Sequence, residues 1–398
     1  MSIVPSRRVS GIGSYAFAEV DRLVENLREQ GVTPIDFGVG DPTVPTPAVI
    51  REALKTAVDE RASSGYPSYI GSLEYRTACS AWMERRFGVR VDPGECISST
   101  VGSKEAVFHL HAGLVDPGDL VLGPNPGYPP YERGALFAGG EHRPYPLTAE
   151  NGFLPDLDAI PADVAERARV LWICYPNSPT GTLAPLSFFE EAAAWCREHA
   201  VVLASDEAYS EIWFDEPPHS ALECGLTNVV SVFSLSKRSA MTGYRVGWVA
   251  GDPEVVGIFR KVKTNIDSGT PTFVQDAAIA ALSDETHVGE FRDEYREKRD
   301  LLVKAFRDLG LPDCTPPSTL YIWQRVPEGM GAVEFAKRLL APEVGIVVTP
   351  GPWISSEADG GNPGEGYVRL ALVPSKEQCG IAAERLRNLD LRGGGPVT

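Results

Sequence analysis

Residues 232–247 read V-F-S-L-S-K-R-S-A-M-T-G-Y-R-V-G, and the interpretation of the whole chain depends on them. The mostly apolar residues 229–233 predict a buried strand, which runs directly into hydroxyl and basic side chains. The Lys237 amine can condense with a carbonyl to form a Schiff base. Hydrogen bonds and positive charge for phosphate oxygens can come from Ser234, Ser236 and Arg245. A solvated loop after a strand contains the same residue types, so the rest of the chain must decide.

The size and charge of the chain limit its class. At 398 residues it is longer than the roughly 250 to 300 residues at which single hydrophobic cores stop growing, so we expect two domains. The formal net charge of −17 opposes binding to nucleic acid or to an anionic membrane, because phosphates would be repelled over most of the surface. We therefore expect small-molecule substrates, no nucleic acid and no membrane as partners.

The seven cysteines and six histidines show no pattern of a metal site or a disulfide framework. The number of cysteines is odd and no C-x-x-C pair occurs, so we expect reduced thiols and no metal. An Arg pair near the start is not followed by an apolar stretch of signal-peptide length, and no segment approaches the length of a membrane span. These features predict a cytoplasmic protein.

From residue 170 onwards, apolar strands alternate with helical segments, and each strand ends in polar loop residues. This alternation predicts an α/β fold with a mostly parallel central sheet and helices on both faces. Ligands of such sheets bind outside the carboxyl ends of the strands. Because Asn177, Asp206 and Lys237 follow three successive predicted strands, we expect them to lie close together at that edge.

Two loops before the alternating region are candidates for ligand contact. Gly102, Ser103 and Lys104 precede a predicted helix, and backbone N–H groups at a helix start attract anions. Gly40 follows a predicted strand and would let a ligand approach the backbone closely, although an ordinary tight turn has the same sequence. Each of these loops is a weak signal when taken alone.

Three tyrosines in loops are also candidates. Tyr128 lies in a proline-rich loop after a predicted strand, where its ring can stack on a flat ligand. Tyr66 and Tyr69 precede a glycine that opens a helix, and either can reach a phosphate or a ring. Packing inside a turn is the commoner use of such tyrosines.

A second unit is predicted after residue 288. A long charged helix over residues 286–309 leaves the first unit and is followed by predicted strands at 318–324, 345–349 and 367–372 and a helix at 375–389. An amphipathic helix is predicted near the amino terminus, over residues 14–30. We expect the tail that begins R-G-G-G to be disordered.

The candidate residues together match the requirements of pyridoxal 5′-phosphate (PLP). The electron sink of PLP needs a protonated ring nitrogen, which a buried carboxylate such as Asp206 can maintain. Asn177 and Tyr209 are suitable donors for the phenolate oxygen of the ring. An amino-acid substrate also needs its carboxylate fixed, and Arg369, flanked by apolar residues in a predicted strand, suits a bidentate clamp. The alternative for Arg369 is a surface ion pair on an edge strand.

The order and spacing of the motifs resemble a fold-type I PLP-dependent aminotransferase of class I/II, in the aspartate aminotransferase superfamily. The resemblance covers nearly the whole chain and rests on these motifs: G-V-G-D-P, Y-P-S-Y-I-G, V-G-S-K-E, N-P-G-Y, Y-P-N-S-P-T-G, S-D-E-A-Y, S-L-S-K, G-Y-R-V-G-W and Y-V-R-L-A. It implies the three-layer fold of that family with a smaller α+β domain. The expected limits are an amino-terminal arm and helix joining the small domain over residues 1–44, a large PLP-binding domain over 45–288 and a small domain over 289–398.

The resemblance also implies a role for each matching residue. Lys237 would form the Schiff base and act as the catalytic base, Asp206 would pair with the pyridine nitrogen, and Arg369 with Gly40 would receive the substrate α-carboxylate. Asn177 and Tyr209 would bind the ring oxygen, and Asn177 would also contact the substrate. The remaining cofactor contacts would be Gly102, Ser103, Lys104, Tyr128, Ser234, Ser236 and Arg245. The family implies a homodimer in which Tyr66 reaches the phosphate of the partner.

The substrate is less closely defined than the reaction. V-G-S-K-E together with the lysine segment is most similar to bacterial LL-diaminopimelate and N-succinyldiaminopimelate aminotransferases of lysine biosynthesis, with glutamate and 2-oxoglutarate as the other pair. The same framework also supports aspartate- or alanine-type aminotransferases and PLP β-lyases. A ligand-sensing regulator is disfavoured by the acidic charge. Candidates for reading the distal end of the substrate are Tyr15, Lys104, Arg238 and Trp323.

Overall fold

The computed structural model describes residues 3–12, 18–357, 361–387, 389 and 391. The predicted disordered tail and Tyr15 lie outside the described residues. The first four residues of the helix predicted over 14–30 lie outside them as well, and the described part forms a helix at Ala18–Glu29. No helix in the described ranges combines the length and the apolar character needed to cross a bilayer.

The described residues form strands β1 to β12 and helices α1 to α14, numbered in chain order. The strands are Ile35–Asp36, Ile97–Thr100, Leu120–Asn125, Glu141–Pro146, Ala168–Cys174, Val202–Asp206, Val229–Ser234, Gly247–Gly251, Tyr321–Arg325, Ile346–Val347, Thr349–Pro350 and Tyr367–Ala371. The helices are Arg7–Ser10, Ala18–Glu29, Ala48–Glu60, Leu73–Phe87, Ser103–Leu114, Pro130–Ala138, Ala162–Arg167, Leu186–Glu198, Leu235–Arg238, Pro253–Ile266, Thr272–Ser283, Thr286–Asp308, Ala332–Leu339 and Lys376–Leu386.

The central sheet has seven strands in the order β2-β8-β7-β6-β5-β3-β4. Strands β3 to β7 are parallel to their neighbours within that group, whereas β8 is antiparallel to both β2 and β7. Runs of β-branched and aromatic side chains that are buried on both faces explain why these segments form central strands. The predicted α/β fold with a mostly parallel sheet is therefore confirmed.

Helices cover both faces of this sheet. Buried residues of α5, α6 and α10 pack on one face, with Leu110 and Phe259 fully enclosed. Buried residues of α4, α8 and α11 pack on the other face, around Trp82, Phe189 and Phe233. The two layers remove both surfaces of the sheet from water and leave the ends of its strands as the open positions.

A second hydrophobic core forms around the three-stranded sheet β11-β12-β9. Helices α12, α13 and α14 contribute buried residues to it, including Leu302, Phe335 and Leu386. Strand β1 pairs in parallel with β10, so residues 35–36 join this second unit rather than the central sheet. Helix α12 crosses the predicted limit between residues 288 and 289. The limits 1–44, 45–288 and 289–398 stay predictions.

Several local elements differ from the sequence-based expectations. The strand predicted at 318–324 begins only at Tyr321. Strand β4 was not predicted, because E-H-R-P-Y-P lacks an apolar pattern and forms the edge of the sheet, where proline and charge are tolerated. The antiparallel β8 was also missed, since its sequence continues directly from the functional loop after β7.

Candidate active site

A cavity of about 900 Å³ opens at the carboxyl ends of the central parallel strands. Strands β5, β6 and β7 are neighbours, and the segments that follow them form one side of this cavity. Most of the residues singled out in the sequence line it: Gly40, Ser103, Lys104, Tyr128, Asp206, Tyr209, Ser234, Ser236, Lys237, Arg245 and Arg369. The structure thus brings together residues that are up to 329 positions apart, because the ends of the parallel strands meet at one edge and the second unit adds Gly40 and Arg369.

Asp206 is the last residue of β6 and is only 5% exposed at the base of the cavity. Burial raises the pKa of its carboxyl group, and hydrogen bonds from the Tyr131 hydroxyl (2.9 Å) and the Ala208 amide (3.2 Å) act against this rise. Among the described residues, no Lys, Arg or His forms an ion pair with Asp206. A buried carboxylate without a counter-charge is stabilised by a cationic group of a ligand placed beside it.

Tyr131, whose hydroxyl donates to Asp206, belongs to a stack of buried aromatic rings. Tyr131 lies parallel to Trp172, with ring centroids 4.9 Å apart and an interplanar angle of 16°. The Trp172 indole N–H donates to His111 Nε2 at 2.8 Å. Burial, with the nearby charge of His142, lowers the pKa of His111 to about 3, so its ring is neutral and accepts this bond. Tyr131 is therefore held in place by its neighbours and is a functional candidate that the sequence analysis missed.

Lys237 lies in the short helix α9 that follows β7, and its Nζ donates a hydrogen bond to the Gly40 carbonyl oxygen. Burial is the main cause that lowers the pKa of Lys237 to about 8. The negative charge of Asp41 opposes this effect, and the positive charges of Arg245 and Arg369 add to it. A substantial fraction of the amine is thus neutral near pH 8, as a carbonyl-attacking nucleophile requires.

The residues at the ends of β2 and β7, together with Arg245, form a group of anion-binding donors that we call the anion cradle. Gly102 has φ of +75°, and a Cβ at this position would run into the guanidinium of Arg245. Arg245 is oriented by a 2.8 Å hydrogen bond from Nη1 to the Thr242 carbonyl oxygen. Ser103, Ser234 and Ser236 line the same part of the cavity. One guanidinium, three hydroxyls and the first amides of α5 form a donor set that fits a phosphate group.

Arg369 approaches the cavity from the three-stranded sheet. Its Nη2 donates to the Gly38 carbonyl oxygen at 2.8 Å, and its guanidinium lies 4.8 Å from the ring centroid of Tyr321. Its Nε is buried and has no hydrogen-bond partner within the described part of the chain. Arg369 lines the cavity, and a guanidinium in that position can bind a carboxylate.

Tyr321 connects several parts of the site and was not predicted. Its hydroxyl lies 3.0 Å from that of Tyr209, and burial raises the pKa of Tyr209 well above its usual value. A Cβ at residue 40 would collide with the Tyr321 ring, so a glycine is required there. Close approach of the Tyr321 side chain is therefore the reason for Gly40, and the ligand contact expected at this residue stays a prediction.

Gly102 does not line the cavity itself but lies against Arg245, and two further predicted site residues do not line the cavity either. Asn177 is fully buried, and its amide is used within its own loop: Nδ2 donates to the Cys174 carbonyl oxygen, and Oδ1 accepts from Thr180. Tyr66 is 88% exposed and is not part of the cavity wall of its own chain. The contacts expected for both residues stay predictions.

Two of the candidates for the distal end of the substrate do not line the cavity. Arg238 is buried and binds Glu285 and the Ala281 carbonyl oxygen, so it belongs to the core. Trp323 is buried in a stack with Tyr367, with ring centroids 5.0 Å apart. Lys104 does line the cavity, and so does the exposed Arg133, which no motif had indicated.

The fold and the cavity define an enzyme of the aminotransferase class, and the chain belongs to the family of class I and II aminotransferases. The family model matches residues 32–386, which is most of the chain. The fold-family resemblance inferred from the motifs is thereby confirmed.

Individual relatives and solved structures show which aminotransferases this chain is similar to. LL-diaminopimelate aminotransferase of Aquifex aeolicus is 45% identical over 390 residues, which cover 97% of this chain and 99% of the relative. An aspartate aminotransferase of Thermus thermophilus superimposes with a TM-score of 0.89 at 30% identity, covering 98% of this chain and all of the other. A probable N-succinyldiaminopimelate aminotransferase of Thermus thermophilus gives a TM-score of 0.86 at 33% identity, covering 94% and 100%.

The lowered pKa of Lys237 predicts how its reactivity depends on pH. Brief labelling of the apoprotein with acetic anhydride, read by peptide mass spectrometry, should show the rate at Lys237 rising with pH through about 8. An unperturbed lysine titrates at about 10.4. Labelling of Lys55 in the same sample corrects for decay of the reagent. A Lys237 midpoint near 10 would contradict the effect of burial and of the two arginines.

The hydrogen bond from the Tyr131 hydroxyl predicts how the pKa of Asp206 responds to mutation of Tyr131. Tyr131→Phe removes a donor to the carboxylate, so the pKa of Asp206 should rise further, and the carboxylate should be lost at a higher pH as the solution is acidified. Carbon-13 NMR titration of the aspartate carboxyl carbons measures the shift, with Asp206→Asn for assignment. Tyr145→Phe removes a buried hydroxyl that donates to the Trp172 carbonyl and is the matched control. Equal effects of the two variants would contradict the assignment.

Proposed function

We propose that this enzyme is a PLP-dependent aminotransferase that uses LL-diaminopimelate as amino donor and 2-oxoglutarate as acceptor. The observation that carries the proposal is a buried carboxylate without a counter-charge, Asp206, in the same cavity as Lys237, an amine with a lowered pKa. PLP has a ring nitrogen for the first group and an aldehyde for the second. The names of the relatives support the choice of substrate.

The residues present fit PLP at each of its polar ends. Asp206 would hold the protonated ring nitrogen, and the cradle of Gly102, Ser103 and Arg245 would hold the phosphate. Tyr128, which is 40% exposed and lines the cavity, would cover one ring face. Remaining contacts are proposed for Lys104, Asn177, Tyr209, Ser234 and Ser236. When bound, PLP supplies an electron sink for the bond that breaks at the substrate α-carbon.

The side chains of the enzyme supply binding and proton transfer. Arg369, with the backbone at Gly40, would fix the α-carboxylate of the substrate. Lys237 Nζ would accept the proton from the α-carbon, because its lowered pKa keeps part of the amine neutral near pH 8. Asp206 and Tyr209, which line the same cavity, would orient the cofactor ring.

The distal end of the substrate would lie near Lys104, Tyr128 and Arg133, which line the same cavity. Arg133 contributes a positive charge close enough to Tyr128 to affect the phenol electrostatically. LL-diaminopimelate carries a second carboxylate, and two cations around the cavity offer it a counter-charge. The homodimer implied by the family is part of the proposal, and Tyr66, which is exposed, would be available in it to reach the phosphate of the partner. The cytoplasmic location stays a prediction.

A panel of amino donors tests the proposal. With 2-oxoglutarate as acceptor and glutamate formation as the readout, we expect kcat/KM for LL-diaminopimelate to exceed that for L-lysine, which lacks the second carboxylate, by at least about tenfold. A missing polar partner commonly costs more than a missing methylene. The panel includes N-succinyl-diaminopimelate, L-aspartate and L-alanine.

The other outcomes of the panel identify the alternatives. A preference for L-aspartate or L-alanine would replace the proposed substrate with that of a broader aminotransferase. Release of pyruvate and ammonia from cystathionine without glutamate formation would indicate a β-lyase. No reaction with any donor in the presence of PLP would remove the proposed function.

A further inference from the structure

A fully buried lysine lies outside the cavity and has no role in the proposed chemistry. Lys263 of α10 is 0% exposed, and its ammonium lies 2.7 Å from Glu105 Oε1 and 2.9 Å from Asp267 Oδ1. Burying an ammonium group is costly unless its charge and its donors are matched. The two carboxylates provide that match, so these three side chains form one ionic cluster.

The cluster resembles a metal site in the types and spacing of its side chains, but the cation in it is the ammonium group of Lys263. Ligand atoms of Glu105, His109 and Asp267 lie within 4.8 Å of one another. His109 Nδ1 is 2.8 Å from the same Glu105 oxygen that binds Lys263. Because the Lys263 ammonium already lies between the carboxylates, a metal ion would have to displace it. The cluster is therefore interpreted as an internal ion pair.

Glu105 links this cluster to the anion cradle. Its Oε2 accepts a hydrogen bond from the Val101 backbone N–H, which closes the loop between β2 and α5. That loop contains Gly102 and leads into Ser103, the first residue of α5. Burial alone would raise the pKa of Glu105, but His109 and Lys263 outweigh it and keep the group an anionic acceptor. The charge of Lys263 thus maintains the shape of the loop.

Asp267 extends the same cluster to a second segment. Its Oδ1 also accepts from the Gly269 amide at 2.6 Å, and Gly269 packs against the backbone of Ser68 and Tyr69. The next residue, Thr270, donates from its hydroxyl to the Thr100 carbonyl oxygen at the end of β2. Lys263 therefore joins the cradle loop to the loop at residues 267–270 through two carboxylates.

We propose that Lys263 is a positioning residue, which acts through Glu105 to hold the loop 101–104 in the conformation that receives the phosphate group of the cofactor. The proposal rests on the proposed PLP chemistry but assigns no catalytic step to Lys263. It differs from a purely structural role, because the loss on mutation should concern the phosphate of the ligand rather than ligand binding in general.

The test measures binding to the apoprotein by isothermal titration calorimetry. Two ligands are compared: pyridoxamine 5′-phosphate, which has no aldehyde and cannot bond to Lys237, and pyridoxamine, which has no phosphate. For Lys263→Met and for Glu105→Gln, we expect the Kd of the phosphorylated ligand to rise about tenfold, the usual loss when an outer partner of a binding group is removed. The Kd of pyridoxamine should not change.

The double variant and a matched control sharpen the test. Lys263→Met with Glu105→Gln should be no worse than the poorer single variant, because both remove the same support. Lys298→Met is the control, since Lys298 is also buried and paired, to Glu294, but belongs to the second core. It should leave both affinities unchanged. Circular dichroism verifies folding, and Glu105→Gln decides the matter if Lys263→Met does not fold.

The results that would contradict the inference can be distinguished from one another. Equal losses for pyridoxamine and its phosphate would mean that the cluster only stabilises the fold, and unchanged affinities would mean that the loop does not need it. Either result overturns the inference while leaving the proposed function intact. Failure of the wild-type protein to bind pyridoxamine 5′-phosphate would remove the proposed function, and this inference with it.

Discussion

The geometry of parallel β-strands is the constraint on which this site depends. Strands β5, β6 and β7 end at one edge of a sheet that is buried on both faces, so the chain must turn there. Asp206 ends β6 and Lys237 follows β7, and this places an acid and an amine in one cavity. Their burial then sets their chemistry, since it raises the pKa of one group and lowers that of the other.

The second unit completes the cavity with groups that the central sheet cannot supply. Arg369 and Tyr321 come from the three-stranded sheet, and the Gly40 turn lies so close to Tyr321 that no side chain fits at residue 40. The Lys237 amine donates to the carbonyl oxygen of that same glycine. The amino-terminal segment therefore lies between the two units and contacts the reactive group of one and the aromatic wall of the other.

Sequence patterns predicted those parts of the site that are local in the chain. The apolar run before Lys237 and the polar ends of successive strands were sufficient for the central parallel strands and for Asp206, Arg245 and Ser234, but not for β4 and β8. Tyr131, Tyr321 and Lys263 were missed because their roles come from contacts with residues 75 or more positions away in the chain. Trp323 and Arg238 were considered as candidates on the basis of residue type alone. Residue type does not reveal that the core encloses both side chains.

The central claim is that Lys237 is the one amine in the cavity that takes up the cofactor. Lys104 also lines the cavity and provides an internal comparison. The measurement is borohydride reduction of the wild-type protein with PLP, followed by digestion and peptide mass spectrometry. The account predicts one modified peptide, with the added mass on Lys237 and none on Lys104. Modification of Lys104 instead, or no covalent modification at all, would contradict it.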